Sequence, residues 1–231
     1  MSRTISLYSP SMKAALDSSD PDDTLESIIT TWTNDMLEAR HDYIQHLFPL
    51  PERSPINPNA PLITKDVRDA FLKHKDLSTQ LGRAFARMAA FYGFVVWDNG
   101  NIAEASNFQT RARDSWLTTM DHNHLRISRI IRCMRILGLQ SQARRFLIAL
   151  LSADQDQICN KNSVTYWCRA ALWPLETPPS HPQDPEVSWL KGDEKGSNEE
   201  VGDERGVGER RIDERAEDKL RAYISRRKLS V

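Results

Sequence analysis

The sequence has no uninterrupted run of the roughly 18 apolar residues that a membrane-spanning helix needs, and its opening stretch, MSRTISLYSPSMKAALDSSDPDD, lacks the apolar centre of a secretory leader. A soluble protein is expected. Cysteine is scarce: Cys133, Cys159 and Cys168 form no CxxC pair and no zinc-finger rhythm, which excludes a disulfide scaffold and suits a reducing cytoplasm or nucleus. A surplus of either charge is missing as well, since 31 basic and 32 acidic residues leave a net charge of -1 and no global field for nucleic acid or an acidic membrane. There is no P-loop, no Gly-rich dinucleotide turn and no nucleophile elbow. The histidines offer no i, i+4 metal pair, because His41 and His46 lie on different helix faces and His122 shares a turn with His124. No cofactor and no metal are expected.

What the sequence does have is helical periodicity. Leu25, Ile28, Ile29, Trp32, Met36, Tyr43 and Leu47 fall on one arc at 100° per residue, and Asp20-Pro21-Asp22-Asp23 has the chemistry of a helix start, so one long helix is predicted from there to Leu47. Asn34, Glu38, His41 and Gln45 form a polar stripe on its other side, either a solvated face or a wall that meets a ligand. Pro49, Pro51, Pro55, Pro58 and Pro61 then enforce an extended strap. Six further helices follow. They start near Thr64, Asp76, Glu104, Asp121, Ser141 and Asn162, with Gly93 closing the one from Asp76, Gly138-Leu139 giving the one from Asp121 a Schellman end, and Pro174 stopping the last. Phe94 to Trp97 reads as an extended buried loop, because a lone strand has no sheet to join.

The expected fold is all-α, a compact domain of about six or seven helices over residues 20–174, preceded by a mobile terminus over 1–19. Residues 175–207 turn to Pro, Gly, Ser and alternating charge and are expected to be a disordered linker. Residues 208–231 regain a thin stripe through Ile212, Ala216, Leu220 and Tyr223, a charged amphipathic helix that frays or docks a partner. Removing everything after Pro174 is then expected to leave the melting temperature unchanged.

Two charge patterns bear on function. Arg129, Arg132 and Arg135 lie on the polar arc of their helix, as a solvated face or an anion-binding surface. Arg126 falls among Ile130, Cys133 and Leu137, and a charge on the packed side must be paired, with Asp35, Glu38 or Asp42 as the candidate partners. On this reading Arg126→Ala costs far more stability than Arg132→Ala. The aromatics, Tyr43 and Trp116 among them, either frame a pocket for a peptide or fill the core.

The motifs LEARHDYIQHLFPLPERSPIN, Pro61-Leu62-Ile63-Thr64, Phe91-Tyr92-Gly93 and HNHLRISRIIRCMRILGL, in that order over about residues 25–150, resemble the conserved region of the opioid growth factor receptor family. The resemblance implies an all-helical module that binds an opioid-type peptide, and its members are associated with membranes as well as the nucleus. It carries no ligand-contact residues. The leading reading is thus a receptor-like or regulatory module for a peptide or protein partner, with Asn34, Glu38, His41, Tyr43, Gln45, Trp116, His122 and Asn123 as candidate contacts. The alternative is a small-molecule enzyme with a pocket holding His41, Asp42 and His122, and the third is nucleic-acid or other anion binding by the arginine row. A deep pocket at the histidines would favour the enzyme, and a shallow apolar groove the binding module.

Overall fold

Ile127, Ile130, Ile131, Met134 and Leu137 recur at helical spacing and are all fully buried, which makes the helix α8 (Asn123–Ile136) the centre of the molecule. A computed structural model describes residues 2–10, 15–17, 20–54, 57–180, 185–192 and 207–231, with the backbone alone described for 16, 17, 20, 21 and 207–215. Helices α9 (Gln140–Ala153) and α10 (Lys161–Leu172) pack on α8, and α5 (Lys65–Lys73) and α6 (Lys75–Phe91) complete the body. Gly138 ends α8 at φ +97°: Leu139 N–H donates to Met134 O and Gly138 N–H to Arg135 O, a Schellman pair as the sequence predicts. A Cβ on Gly138 would lie 2.7 Å from Leu72, so both the backbone angle and the space demand glycine.

The all-α reading holds, with eleven α-helices among the described residues and only two short antiparallel hairpins. The single long helix predicted from Asp20 to Leu47 does not form. It is replaced by β2 (Asp20–Thr24), α2 (Leu25–Thr30), α3 (Asn34–Ala39) and α4 (Tyr43–Leu47), where β2 pairs with β1 (Ala15–Asp17). The cause lies in competing caps. Thr24 and Ser27 form a reciprocal capping box, Thr33 Oγ1 accepts from Met36 N–H, and Asp42 Oδ1 accepts from Tyr43 N–H. Each cap starts a new short helix, while the buried set Leu25, Ile28, Trp32, Leu37, Tyr43 and Leu47 still faces one core. Met36, placed inward by periodicity, is left exposed.

Three other expectations are corrected. Phe94–Val96 is a strand, β3, because Ile102–Glu104 returns as β4 across the Trp97-to-Gly100 turn and gives it the partner it lacked. The N-terminal residues are not all loose, for α1 (Arg3–Tyr8) seats Leu7 and Tyr8 in the core, with the Tyr8 hydroxyl donating to Leu47 O and its ring edge-on to Phe71 at 5.3 Å. Beyond Pro174 the chain stays attached: Leu175 and Leu190 are buried, the latter in a short 3-10 turn over Ser188–Leu190. The rest of the expected linker, residues 181–184 and 193–206, lies outside the described residues. No helix among the described residues is long and apolar enough to cross a membrane.

The terminal helix α11 (Val207–Arg227), expected to be dispensable, docks on α9. Leu220 and Tyr223 are buried, and the carboxylate of Asp154, fully buried at the end of α9, accepts from the Tyr223 hydroxyl at 2.6 Å and from Arg227 at 3.1 Å. Burial and the adjacent carboxylate push the Tyr223 phenol well up. Because the Arg227 and Asp154 side chains are only 7% and 0% exposed, Arg227→Ala strands a buried carboxylate and should lower stability by about 3 kcal/mol. Arg226→Ala, one residue away with exposed contacts, should cost at most about 0.5 kcal/mol. Urea unfolding midpoints of the two variants check this, and equal midpoints would mean that α11 is not held by Asp154.

Candidate functional site

The junction of α3 with the start of α8 brings together residues that are about 85 positions apart in the chain. Asp121 Oδ1 accepts from Asn123 N–H at 2.7 Å, a local turn that opens α8 and aims His122 outward. His122 Nε2 lies 3.0 Å from Glu38 Oε1 and its Nδ1 lies 3.5 Å from Asp121 Oδ1. Behind them Asn123 is fully buried, donating from Nδ2 to Glu38 Oε2 and to Ser115 O. The His41 ring stands edge-on to His122 at 5.3 Å.

Arg126 ties this cluster to the core. Its guanidinium donates to Leu37 O at 3.0 Å, Arg40 O at 2.7 Å, Asn123 Oδ1 at 3.1 Å and His41 Nδ1 at 2.9 Å, and it lies over the Tyr43 ring at 5.5 Å. The predicted link from Arg126 to the N-terminal segment is present, but its acceptors are carbonyls, an amide and an imidazole. None of Asp35, Glu38 and Asp42 bonds to it. The break between α3 and α4 explains the exchange, since it frees the Leu37 and Arg40 carbonyls from helical bonds and turns them toward a five-donor fork. Because Arg126 donates to His41 Nδ1, the His41 proton sits on Nε2.

Of the eight candidate contacts, then, Glu38, His41, His122 and Asn123 come together. Asn34 lies elsewhere, accepting from Arg87 against α6, and Gln45 is half-buried on α4. Tyr43 and Trp116 are core residues, the first donating to Leu37 O with its phenol pushed up to about 12 by burial, the second donating to Tyr92 O. The pocket reading of both is therefore overturned. His124, which the sequence marked only as part of a helix start, is a buried brace that donates from Nε2 to Trp116 O and accepts at Nδ1 from Ser163.

The arginine row is not a solvated face. Arg132 is 2% exposed and grips both carboxylate oxygens of Glu52 while donating to Thr177 O. Arg135 donates to Ala170 O and Trp173 O, and Arg129 to Phe48 O, where burial lowers its basicity. Their helix wheel shows a polar arc because the strap and the segment after α10 cover that arc with carbonyls. An anion surface made of these three does not exist.

A groove with a volume of about 580 Å³ lies elsewhere, between the β3–β4 hairpin, α9 and α11. Phe94, Ile102, Ile148 and Ala149 give it an apolar floor, and Arg144, Arg145, Glu104 and Glu217 stand around it. Arg144 is paired with Glu217 of α11, which holds that carboxyl below its ordinary value. A second cavity of about 560 Å³ lies between α1, α2 and α6. Neither reaches His41 or His122. Periodicity could not find the groove, since its floor combines a hairpin read as a loop with half-buried positions of α9.

Residues 5–172 match the family model described as the opioid growth factor receptor (OGFr) conserved region. The chain belongs to the opioid growth factor receptor family. Among curated relatives, the opioid growth factor receptor of Rattus norvegicus is 41% identical over 121 residues, 50% of this chain and 20% of that protein. The Homo sapiens opioid growth factor receptor is 37% identical over 50% of this chain and 17% of its own length, and opioid growth factor receptor-like protein 1 of Mus musculus 36% over 51% and 25%. The chain thus spans a quarter or less of the length of these relatives. No solved structure matches it. The α3–α8 junction and most of the groove lie inside the family span, which also takes in most of α1, and α11 lies beyond it.

Two stability tests follow from these contacts. Arg126→Ala leaves buried carbonyls without a donor and should cost about 3 kcal/mol, while Arg132→Ala should cost about 2 kcal/mol because Glu52 is partly exposed and can rehydrate. Both should far exceed the exposed Arg113→Ala in chemical denaturation, whereas a neutral Arg132→Ala would restore the solvated-face reading. For Glu217, whose folded pKa lies below the ordinary 4.5, the stabilisation is present above that value and is lost as pH falls through the folded pKa. The melting-temperature difference between the wild type and Glu217→Gln should therefore be constant from pH 7 to about pH 5 and vanish in stronger acid. A difference that does not shrink as the pH falls below the ordinary carboxyl value would rule out the Arg144 pair as its source.

Proposed function

We propose that this chain is a receptor-like binding module that holds a peptide, or a short segment of a partner protein, in the groove between the β3–β4 hairpin, α9 and α11. The observation that carries the reading is the groove itself: its volume of about 580 Å³ is of the size that binds a few side chains, and its floor is apolar with charges at the edge. Ile102, Ile148 and Ala149 suit an aromatic or aliphatic side chain. Arg144 suits a carboxylate, and Glu217 already supplies one there. A peptide with an apolar side chain and a nearby acidic group or free C-terminus fits this chemistry, and relatives named as opioid growth factor receptors support a peptide over a small molecule.

The acid/base reading needs His41, Asp42 and His122 in one pocket; Glu38, and not Asp42, is the carboxylate that meets His122, since Asp42 caps Tyr43. That cluster sits at the surface and lines neither of the two cavities described above, so neither supplies the deep pocket that this reading needs.

The test is fluorescence anisotropy of a fluorescein-labelled opioid-type peptide with a free C-terminus, titrated with the full chain. Saturable binding should weaken at least tenfold in Ile148→Glu, with the melting temperature measured alongside, and stay unchanged in Leu125→Glu, an exposed position that does not line the groove. Equal affinity in Ile148→Glu and the wild type, or no saturation, would remove the groove as the peptide site.

A further inference from the structure

We propose that Glu38, Asp121 and His122 form a binding site for a divalent transition-metal ion of the zinc or manganese class. One donor atom from each, a carboxylate oxygen from Glu38 and from Asp121 and a ring nitrogen from His122, lies within 4.8 Å of the other two. Ligands around an ion at about 2.0–2.2 Å stand roughly 3 Å apart. Glu38 Oε1 and His122 Nε2 are already at 3.0 Å, whereas Asp121 Oδ1 lies 3.5 Å from the other ring nitrogen, so the Asp121 carboxylate would have to turn to share an ion with Nε2.

The surroundings orient each donor. Asn123 Nδ2 holds Glu38 Oε2, which leaves Oε1 toward His122, and Asn123 N–H holds Asp121 Oδ1, which leaves Oδ2 to turn outward. Asn123 is in turn fixed by Ser115 O, by Arg126 and by a long contact from the Tyr92 hydroxyl. Outer partners of this kind set the direction of metal ligands and raise their occupancy. Two carboxylates face one imidazole, and Arg126 behind them directs its donors to carbonyls, Asn123 and His41, so neither carboxylate is tied up in a direct ion pair with it.

His41 is not a ligand, because its Nδ1 accepts from Arg126 and its Nε2 carries the proton. The donor set is one imidazole nitrogen and two carboxylate oxygens, with the remaining positions left to water. That mixture disfavours copper(I), which takes thiolates, and calcium, which takes oxygen alone, and it suits zinc and manganese. Bound there, the ion would pin α3 to the start of α8 from outside, in parallel with the Arg126 contacts inside. The three cysteines do not compete in the folded protein, since all are buried.

The experiment titrates the full chain, freed of metal with a chelator and dialysed, with zinc chloride and with manganese chloride by isothermal titration calorimetry. Saturating zinc should also raise the melting temperature. The expected result is one ion per chain at micromolar affinity, weakened at least tenfold in each of Glu38→Gln, Asp121→Asn and His122→Gln and unchanged in His74→Gln. Glu38→Gln keeps an oxygen for Asn123, and His122 is exposed, so these variants fold and keep the measurement interpretable. No binding up to millimolar metal, or unchanged binding in the triple variant, would overturn the proposal.

Discussion

An extended strap or an interrupted helix that crosses a protein body carries carbonyl groups it cannot satisfy itself, and each one buried without a donor costs as much as a lost hydrogen bond. Here α8 provides the donors. Arg126 serves Leu37 and Arg40 in the broken N-terminal segment, Arg129 serves Phe48 where the strap begins, and Arg132 reaches Glu52 on the strap and Thr177 after α10. Arg135 serves Ala170 and Trp173 at the end of α10. Three-residue spacing turns successive arginines slowly around the helix, so each meets a different neighbour. The irregular parts of the fold are held by this one regular element.

Where a helix was long and its apolar period clean, the sequence was readable: α5, α6, α8, α9 and α10 lie where Val67, Leu81, Ile130, Leu147 and Trp167 repeat against the core. The short helices α2, α3 and α4 read as one in the sequence, because Thr33 and Asp42 cap within a period that never breaks, and a cap inside a continuing stripe looks like an ordinary polar residue. Arg126 is legible from its place among Ile130, Cys133 and Leu137, but not its acceptors, since backbone carbonyls leave no mark in a sequence. The solvated appearance of Arg132 misled for the same reason: what covers it is the strap. Glu38 and His122 belong to separate motifs, and only the packing of α3 on α8 brings them to 3.0 Å. The groove was invisible because its walls come from a hairpin, a half-buried helix face and a tail.

The family span ends at residue 172, while the described structure continues onto the body through Leu175, Leu190 and α11. Its conserved part therefore supplies the helical core, the arginine-held strap and the α3–α8 junction. The later residues add the Glu217 wall of the groove and the contacts that close over Asp154. A ligand in the groove would touch both, so its affinity would depend on a part of the chain that the family model does not describe.

The Asp154 contacts also impose an order in time. Arg227 lies 73 residues after Asp154, so during synthesis the carboxylate emerges about 4 to 15 s before its guanidinium at about 5–20 residues per second. Through that interval the end of α9 has a charge that must stay hydrated, and the surface that will receive Leu220 and Tyr223 stays open to water. Until Arg227 follows, that flank of α9 lacks the cover that Leu220 and Tyr223 give it.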